Sequence, residues 1–65
     1  MIKTVIRFRN NMVMVFDKRG EQIPEYQGQY EKVKAGILAS APPGTVFALG
    51  FSDDGELRGV PREMW

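Results

Sequence analysis

Residues Ile2–Phe16 read IKTVIRFRNNMVMVF, two β-rich runs flanking Asn10-Asn11. Asparagine accepts positive φ better than most non-glycine residues. The pair therefore suits a two-residue hairpin turn, which needs φ > 0 at both central positions. With that even loop Arg9 opposes Met12, Phe8 opposes Val13, Arg7 opposes Met14 and Ile6 opposes Val15. Directly opposed residues share a face. One face then carries Ile2, Thr4, Ile6, Phe8, Val13 and Val15 and reads as a core face. The other carries Lys3, Val5, Arg7, Arg9, Met12, Met14 and Phe16, cationic on the first strand and apolar on the second. An odd loop would change the parity and set Met12, Met14 and Phe16 beside Ile6 and Phe8. The even loop is the expectation carried forward.

Beyond Phe16 the chain turns through Asp17-Lys18-Arg19-Gly20-Glu21, where Asp, Gly and charge favour reversal. Ile23 precedes Pro24 and is pushed into extended backbone. Tyr26, Tyr30, Val33, Ile37 and Ala41 repeat at helical spacing and predict a helix over 26–41 with one apolar stripe, widened by Leu38. Gly28 reads as its N-cap, Glu31 suits the first turn, and Pro42-Pro43 stop it. Thr45–Phe51 then alternates, with Phe47, Leu49 and Phe51 on one face and Val46, Ala48 and Gly50 on the other. Ser52-Asp53-Asp54-Gly55 predicts a type I turn closed by a left-handed glycine, which sets Leu57 opposite Phe51 in the core. Glu56–Val60 is the last strand and Pro61 ends it.

The order is β-β-α-β-β in one small domain spanning residues 1–65. The expected fold class is α+β: a two-layer sandwich, with an antiparallel four-stranded sheet and one helix packed on one face. The second sheet face is then uncovered, as antiparallel sheets allow. It would hold Lys3, Val5, Arg7, Arg9, Met12, Met14 and Phe16 from the first hairpin, and the small residues Val46, Ala48, Gly50 and Gly59 from the second.

Composition narrows the chemistry. The chain has no cysteine and no histidine, so disulfides, Cys/His zinc sites, thiol nucleophiles and imidazole acid–base chemistry are excluded. There is no glycine-rich phosphate loop, no nucleophile elbow and no metal-ligand spacing. Asp53-Asp54-Gly55-Glu56 is the only acidic cluster, and turn chemistry accounts for it. Ser40 and Ser52 have no histidine base, and Tyr26 and Tyr30 belong to the apolar stripe. We expect no enzyme, no catalytic residue, no cofactor and no metal. The longest apolar run, Met12–Phe16, is far below the roughly 20 residues of a membrane span, and the expectation is a cytoplasmic protein with no membrane partner.

Net charge is only +1, but residues 1–19 carry +4 and residues 20–65 carry −3. Solvated strand edges explain most such asymmetries; an anionic partner for the first hairpin is the sharper explanation. Two functional readings follow. The first is a non-enzymatic protein–protein interaction module, binding another protein or a second copy through the open face, because Met and Arg are enriched at interfaces. The alternative is a nucleic-acid-binding module using Lys3, Arg7, Arg9 and Phe16 on that face. It has only one aromatic there and lacks an RNA-recognition signature. The blander reading lays the Met64-Trp65 tail across the patch. No small-molecule substrate is inferred.

Overall fold

The structure, a computed structural model, describes residues 1–65. Its strands are β1 (Ile2–Phe8), β2 (Met12–Asp17), β3 (Gly28–Gln29), β4 (Val46–Gly50) and β5 (Arg58–Val60), and its helix α1 is Tyr30–Ser40. They form an α+β fold with one five-stranded sheet in the order β3-β2-β1-β4-β5. The sheet is mixed, not purely antiparallel: β1 pairs antiparallel with β2 but parallel with β4.

The route of residues 18–29 explains the parallel pair. After β2 the chain does not enter the helix directly but runs back along the β2 edge. Gln22 bridges to Phe16, and Gly28 and Gln29 pair with Val13 and Met12. Between them Pro24–Tyr26 forms a 3₁₀ turn. The Gln27 side-chain oxygen accepts the Val15 N–H at 3.0 Å, filling a gap in the ladder. The detour delivers the chain to the far end of the first hairpin, where the Tyr30 N–H donates to the Asn11 carbonyl at 2.8 Å. The helix therefore starts at 30 rather than 26, with Gln29 as N-cap and Gly28 in a strand at φ 146°. It runs back to the start of β1, where the Thr45 hydroxyl reaches the Ile2 carbonyl at 3.3 Å. A strand beginning there has to run alongside β1 in the same direction.

The turn of the first hairpin has odd parity. Val5 pairs with Val15, Ile6 with Met14 and Arg7 with Val13, which leaves Arg9-Asn10-Asn11 as a three-residue loop. The Asn11 N–H donates to the Phe8 carbonyl at 2.9 Å, and Asn11 alone among non-glycine residues has positive φ, 69°. A type I turn followed by one left-handed residue satisfies the hairpin, whereas the two-residue turn would have needed two such residues. Asn10 supports it by accepting the Met12 N–H on its side chain at 3.1 Å. The register also gathers Val5, Val13 and Val15 onto one face. An irregularity between Ile2 and Thr4 returns Ile2, which pairs with Asp17, to that same face.

That face carries the core. Ile2, Val5, Val13, Val15, Ile37, Ala41, Phe47 and Trp65 form one buried cluster, with Ile23, Tyr26, Tyr30, Val33, Leu38, Leu49 and Val60 packed around it. The stripe read from helical spacing is thus the side of α1 that meets the sheet, with Tyr26 contributing from the 3₁₀ turn. Trp65 lies on this side. Its ring sits edge-on to Tyr30 and Phe47 with centroids 5.1 and 5.2 Å away, and only 3% of the residue is exposed. The tail therefore does not cross the opposite face.

The second hairpin is shorter than the alternation suggests. The Ser52–Gly55 turn forms, with Gly55 at φ 80° and its N–H on the Ser52 carbonyl at 3.3 Å. The register, however, pairs Leu49 with Arg58 and Phe47 with Val60, one step from the expected one, so Leu57 does not oppose Phe51. Both side chains lie outside the core, Leu57 50% and Phe51 39% exposed.

Candidate functional site: an apolar sheet face

The odd turn divides the seven-residue surface expected from sequence. Val5 is fully buried in the core. Lys3 is exposed at the β1 irregularity. Arg7 points to the helix side: its guanidinium stacks on Tyr30 at 3.6 Å, its Nε donates to the Asn11 side-chain oxygen at 3.0 Å, and its NH1 group donates to the Trp65 carbonyl at 3.1 Å. Arg9 lies in the loop and forms an exposed ion pair with Asp53 while also donating to the Phe51 carbonyl. Met12, Met14 and Phe16 stay together, but on the face opposite the core. The combination of Lys3, Arg7, Arg9 and Phe16 on one surface does not form, because Arg7 and Phe16 alternate to opposite sides of the sheet.

The face that does form is read off the register. Thr4 pairs with Phe16 and Val46; Ile6 with Met14 and Ala48; Phe8 with Gly50; Ala48 with Gly59. At its edge Gln29 pairs with Met12 and Gln22 bridges to Phe16. None of these twelve paired positions is charged; the one cation beside them is Lys3, the extra residue of the β1 irregularity, which lies next to Thr4 at the end of the face. Ile6 and Ala48 are buried although they lie outside the core cluster, so their neighbours on this second face cover them. Met12 and Val46 are 41% and 48% exposed.

The even turn expected from sequence places Ile6, Phe8 and Thr4 in the core; the register puts them on the opposite face. The signal against it lay in the valines: only the odd parity puts β-branched Val5, Val13 and Val15 together where α1 needs a smooth surface. The β4 and β5 contribution of Val46, Ala48, Gly50 and Gly59 was legible in the alternation itself.

Bulk is distributed unevenly across the face. One row crosses the sheet as Met14, Ile6, Ala48 and Gly59, falling in size at every strand. A second runs Phe16, Thr4, Val46, and a third runs Gln29, Met12, Phe8, Gly50 once the β1–β2 register is continued to the turn. At Gly50 an added Cβ would sit 2.9 Å from Phe8 Cδ1 and 3.2 Å from Leu57 Cδ2, so these two side chains close over the glycine. A shallow depression of about 690 Å³ lies at the hairpin end, lined by Phe8, Met12, Met14, Gln27 and Gly50 among others.

Titration is not a feature of this face. The two aspartates held below the ordinary carboxylate range are in turns. Asp17 is held there first by the Glu21 N–H and then by the Arg19 N–H. Asp54 is held there first by the Ser52 hydroxyl and then by the Glu56 N–H. Both carboxylates serve as local turn acceptors. No group of three or more Asp, Glu, His or Cys side chains is arranged to hold a metal ion. No helix is long and apolar enough to cross a membrane. No family model matches the chain, no curated protein matches it, and no solved structure matches it.

Proposed function

We propose that the chain is a non-enzymatic protein-interaction module, a two-layer domain in which α1 covers one sheet face and the other face docks a protein. The observation that carries the reading is the partly exposed apolar face built from Met12, Met14, Phe16, Phe8 and Val46. Contiguous exposed apolar surface on a small protein marks an interaction site more often than chance, and loss of charge at the centre distinguishes interface cores from ordinary surface. Methionine adds adaptability, because its unbranched side chain repacks against varied partners. The nucleic-acid reading ranks second: Arg7 and Arg9 both have partners within the chain, and Lys3 is the one cation beside Phe16.

The test is capture of a protein partner by the immobilised chain, compared with the variants Met12→Glu/Val46→Glu and Lys32→Glu. The pair on the sheet face abolishes capture and the helix-side change leaves it intact, while all three unfold at similar urea concentration. Equal capture by the wild type and the Met12→Glu/Val46→Glu variant would end the reading.

A further inference from the structure

We propose that the foot of the sheet, where β1 and β4 begin, binds a phosphate monoester through Lys3, Lys18 and the Gly44 N–H. This site is separate from the protein-docking role of the sheet face and does not depend on it. A small cavity and the sorting of donors from acceptors around it carry the proposal.

Register brings the groups together. Ile2 pairs with Asp17, which sets Lys3 and Lys18 next to that pair. The parallel pairing of Thr4 with Val46 places Gly44 and Thr45 beside the start of β1. A cavity of about 250 Å³ lies among them, lined by Lys3, Lys18, Pro42, Pro43, Gly44 and Thr45 among others, and no carboxylate lines it. Pockets that enclose whole drug-sized ligands run roughly 300–1,000 Å³, so this one has room for a phosphate group and a small part of its carrier.

Acceptors around the cavity are spent while donors are free. The Pro42 carbonyl accepts the Thr45 N–H at 3.2 Å, the Thr45 hydroxyl at 2.8 Å and the Arg62 guanidinium at 2.9 Å. The Ile2 carbonyl accepts the Thr45 hydroxyl at 3.3 Å. Asp17, the carboxylate next to Lys18, takes the N–H groups of Arg19 and Glu21. The chain has two ion pairs, Arg9–Asp53 and Arg19–Glu21, so the Lys3 and Lys18 ammonium groups are both unpaired. The Gly44 N–H donates to nothing in the chain. Pro43 and Gly44, at φ 91°, are the central residues of a type II turn closed by the Thr45 N–H, which holds that donor in place. Two ammonium groups and a fixed N–H around one cavity suit a compact dianion. A nucleic-acid backbone would need a longer stripe of free cations. The next cations along, Arg19 and Arg62, are engaged with Glu21 and with the Pro42 carbonyl and Phe47 ring.

Amide-detected NMR titration of the intact chain at constant ionic strength tests the site, with inorganic phosphate, AMP and adenosine as probes. Phosphate and AMP should shift the same amides, those of Lys3, Lys18, Gly44 and Thr45, and adenosine should not. The shifts should saturate with a dissociation constant of roughly 1 mM, as exposed charge-assisted contacts allow. Lys3→Gln/Lys18→Gln alters two exposed side chains and should weaken binding about tenfold or more. Lys32→Gln/Lys34→Gln, on equally exposed positions of α1, should leave it unchanged. AMP should bind more weakly below about pH 6, where a phosphate monoester loses its second charge. Shifts that grow without saturating, or equal losses in the two lysine pairs, overturn the site. Affinity for AMP that is unchanged well below that pH overturns the dianion. An oligonucleotide without terminal phosphates that binds the same amides more tightly than AMP overturns the monoester in favour of a nucleic-acid backbone.

Discussion

The Arg7 guanidinium lies 3.6 Å from the centroid of the Tyr30 ring, and both side chains donate a hydrogen bond to the Trp65 carbonyl, each at 3.1 Å. One strand, one helix and the tail thus meet at a single carbonyl oxygen. Arg7→Lys keeps the charge but loses the planar fork that reaches Asn11 and Trp65 together. We expect a loss of about 1–2 kcal/mol, from the stack and one charge-assisted hydrogen bond at a half-buried site. Urea unfolding followed by Trp65 emission checks it, starting from a blue-shifted native spectrum. An unchanged midpoint would remove the stack from the stability account.

Asn11 sits at φ 69° and is the pivot of the turn parity. Asn11→Val should destabilise by about 2 kcal/mol, since a β-branched residue resists the left-handed region. Asn11→Gly should cost less, because it restores backbone freedom while losing the contacts to Arg7 and Glu31. If valine proved as stable as glycine, the three-residue loop would not be the one in use.

Gly50 is the position where a side chain has no room. Gly50→Ala should cost about 1–3 kcal/mol by overpacking, with Phe8 Cδ1 only 2.9 Å from the new Cβ. The same substitution in a Phe8→Ala background should cost measurably less. Additive effects of the two changes would separate Gly50 from Phe8.

The Asp17 carboxyl is held low by the Glu21 and Arg19 N–H groups. A group whose folded pKa is depressed adds stability above its unfolded pKa, about 3.9, and that stability is lost as pH falls through the folded value. Carboxyl-detected NMR titration should find the Asp17 midpoint below the ordinary aspartate range. Asp17→Ala should remove that part of the acid dependence of unfolding. An Asp17 midpoint at or above the ordinary range would refute the turn assignment.

Periodicity and stop signals made much of this fold legible. Ile37 and its stripe, the Pro42-Pro43 stop and the Ser52–Gly55 turn all stand where residue type put them. Strand direction was not legible, because β4 is oriented by where the helix ends, and that depends on the detour of residues 18–29. Gln22, Gln27, Gly28 and Gln29 hold the detour with few strand-like side chains, so no pattern announced it. The site depended on one parity. Asn10-Asn11 suits an even or an odd loop by composition, and only the packing of Val5, Val13 and Val15 against Ile37 distinguishes them.

The parallel pairing of β1 with β4 also fixes an order of events. Local contacts can build the first hairpin, β3 and α1, but joining the start of β4 to the start of β1 closes a long loop, as the bond between Thr45 and Ile2 spans 43 residues. Loop-closure entropy places such contacts late. Until then one edge of the central strand is an open template for β4 of any neighbouring chain. Refolding at high concentration should therefore yield strand-exchanged species, with Pro42-Pro43 as the hinge, that refolding at low concentration avoids.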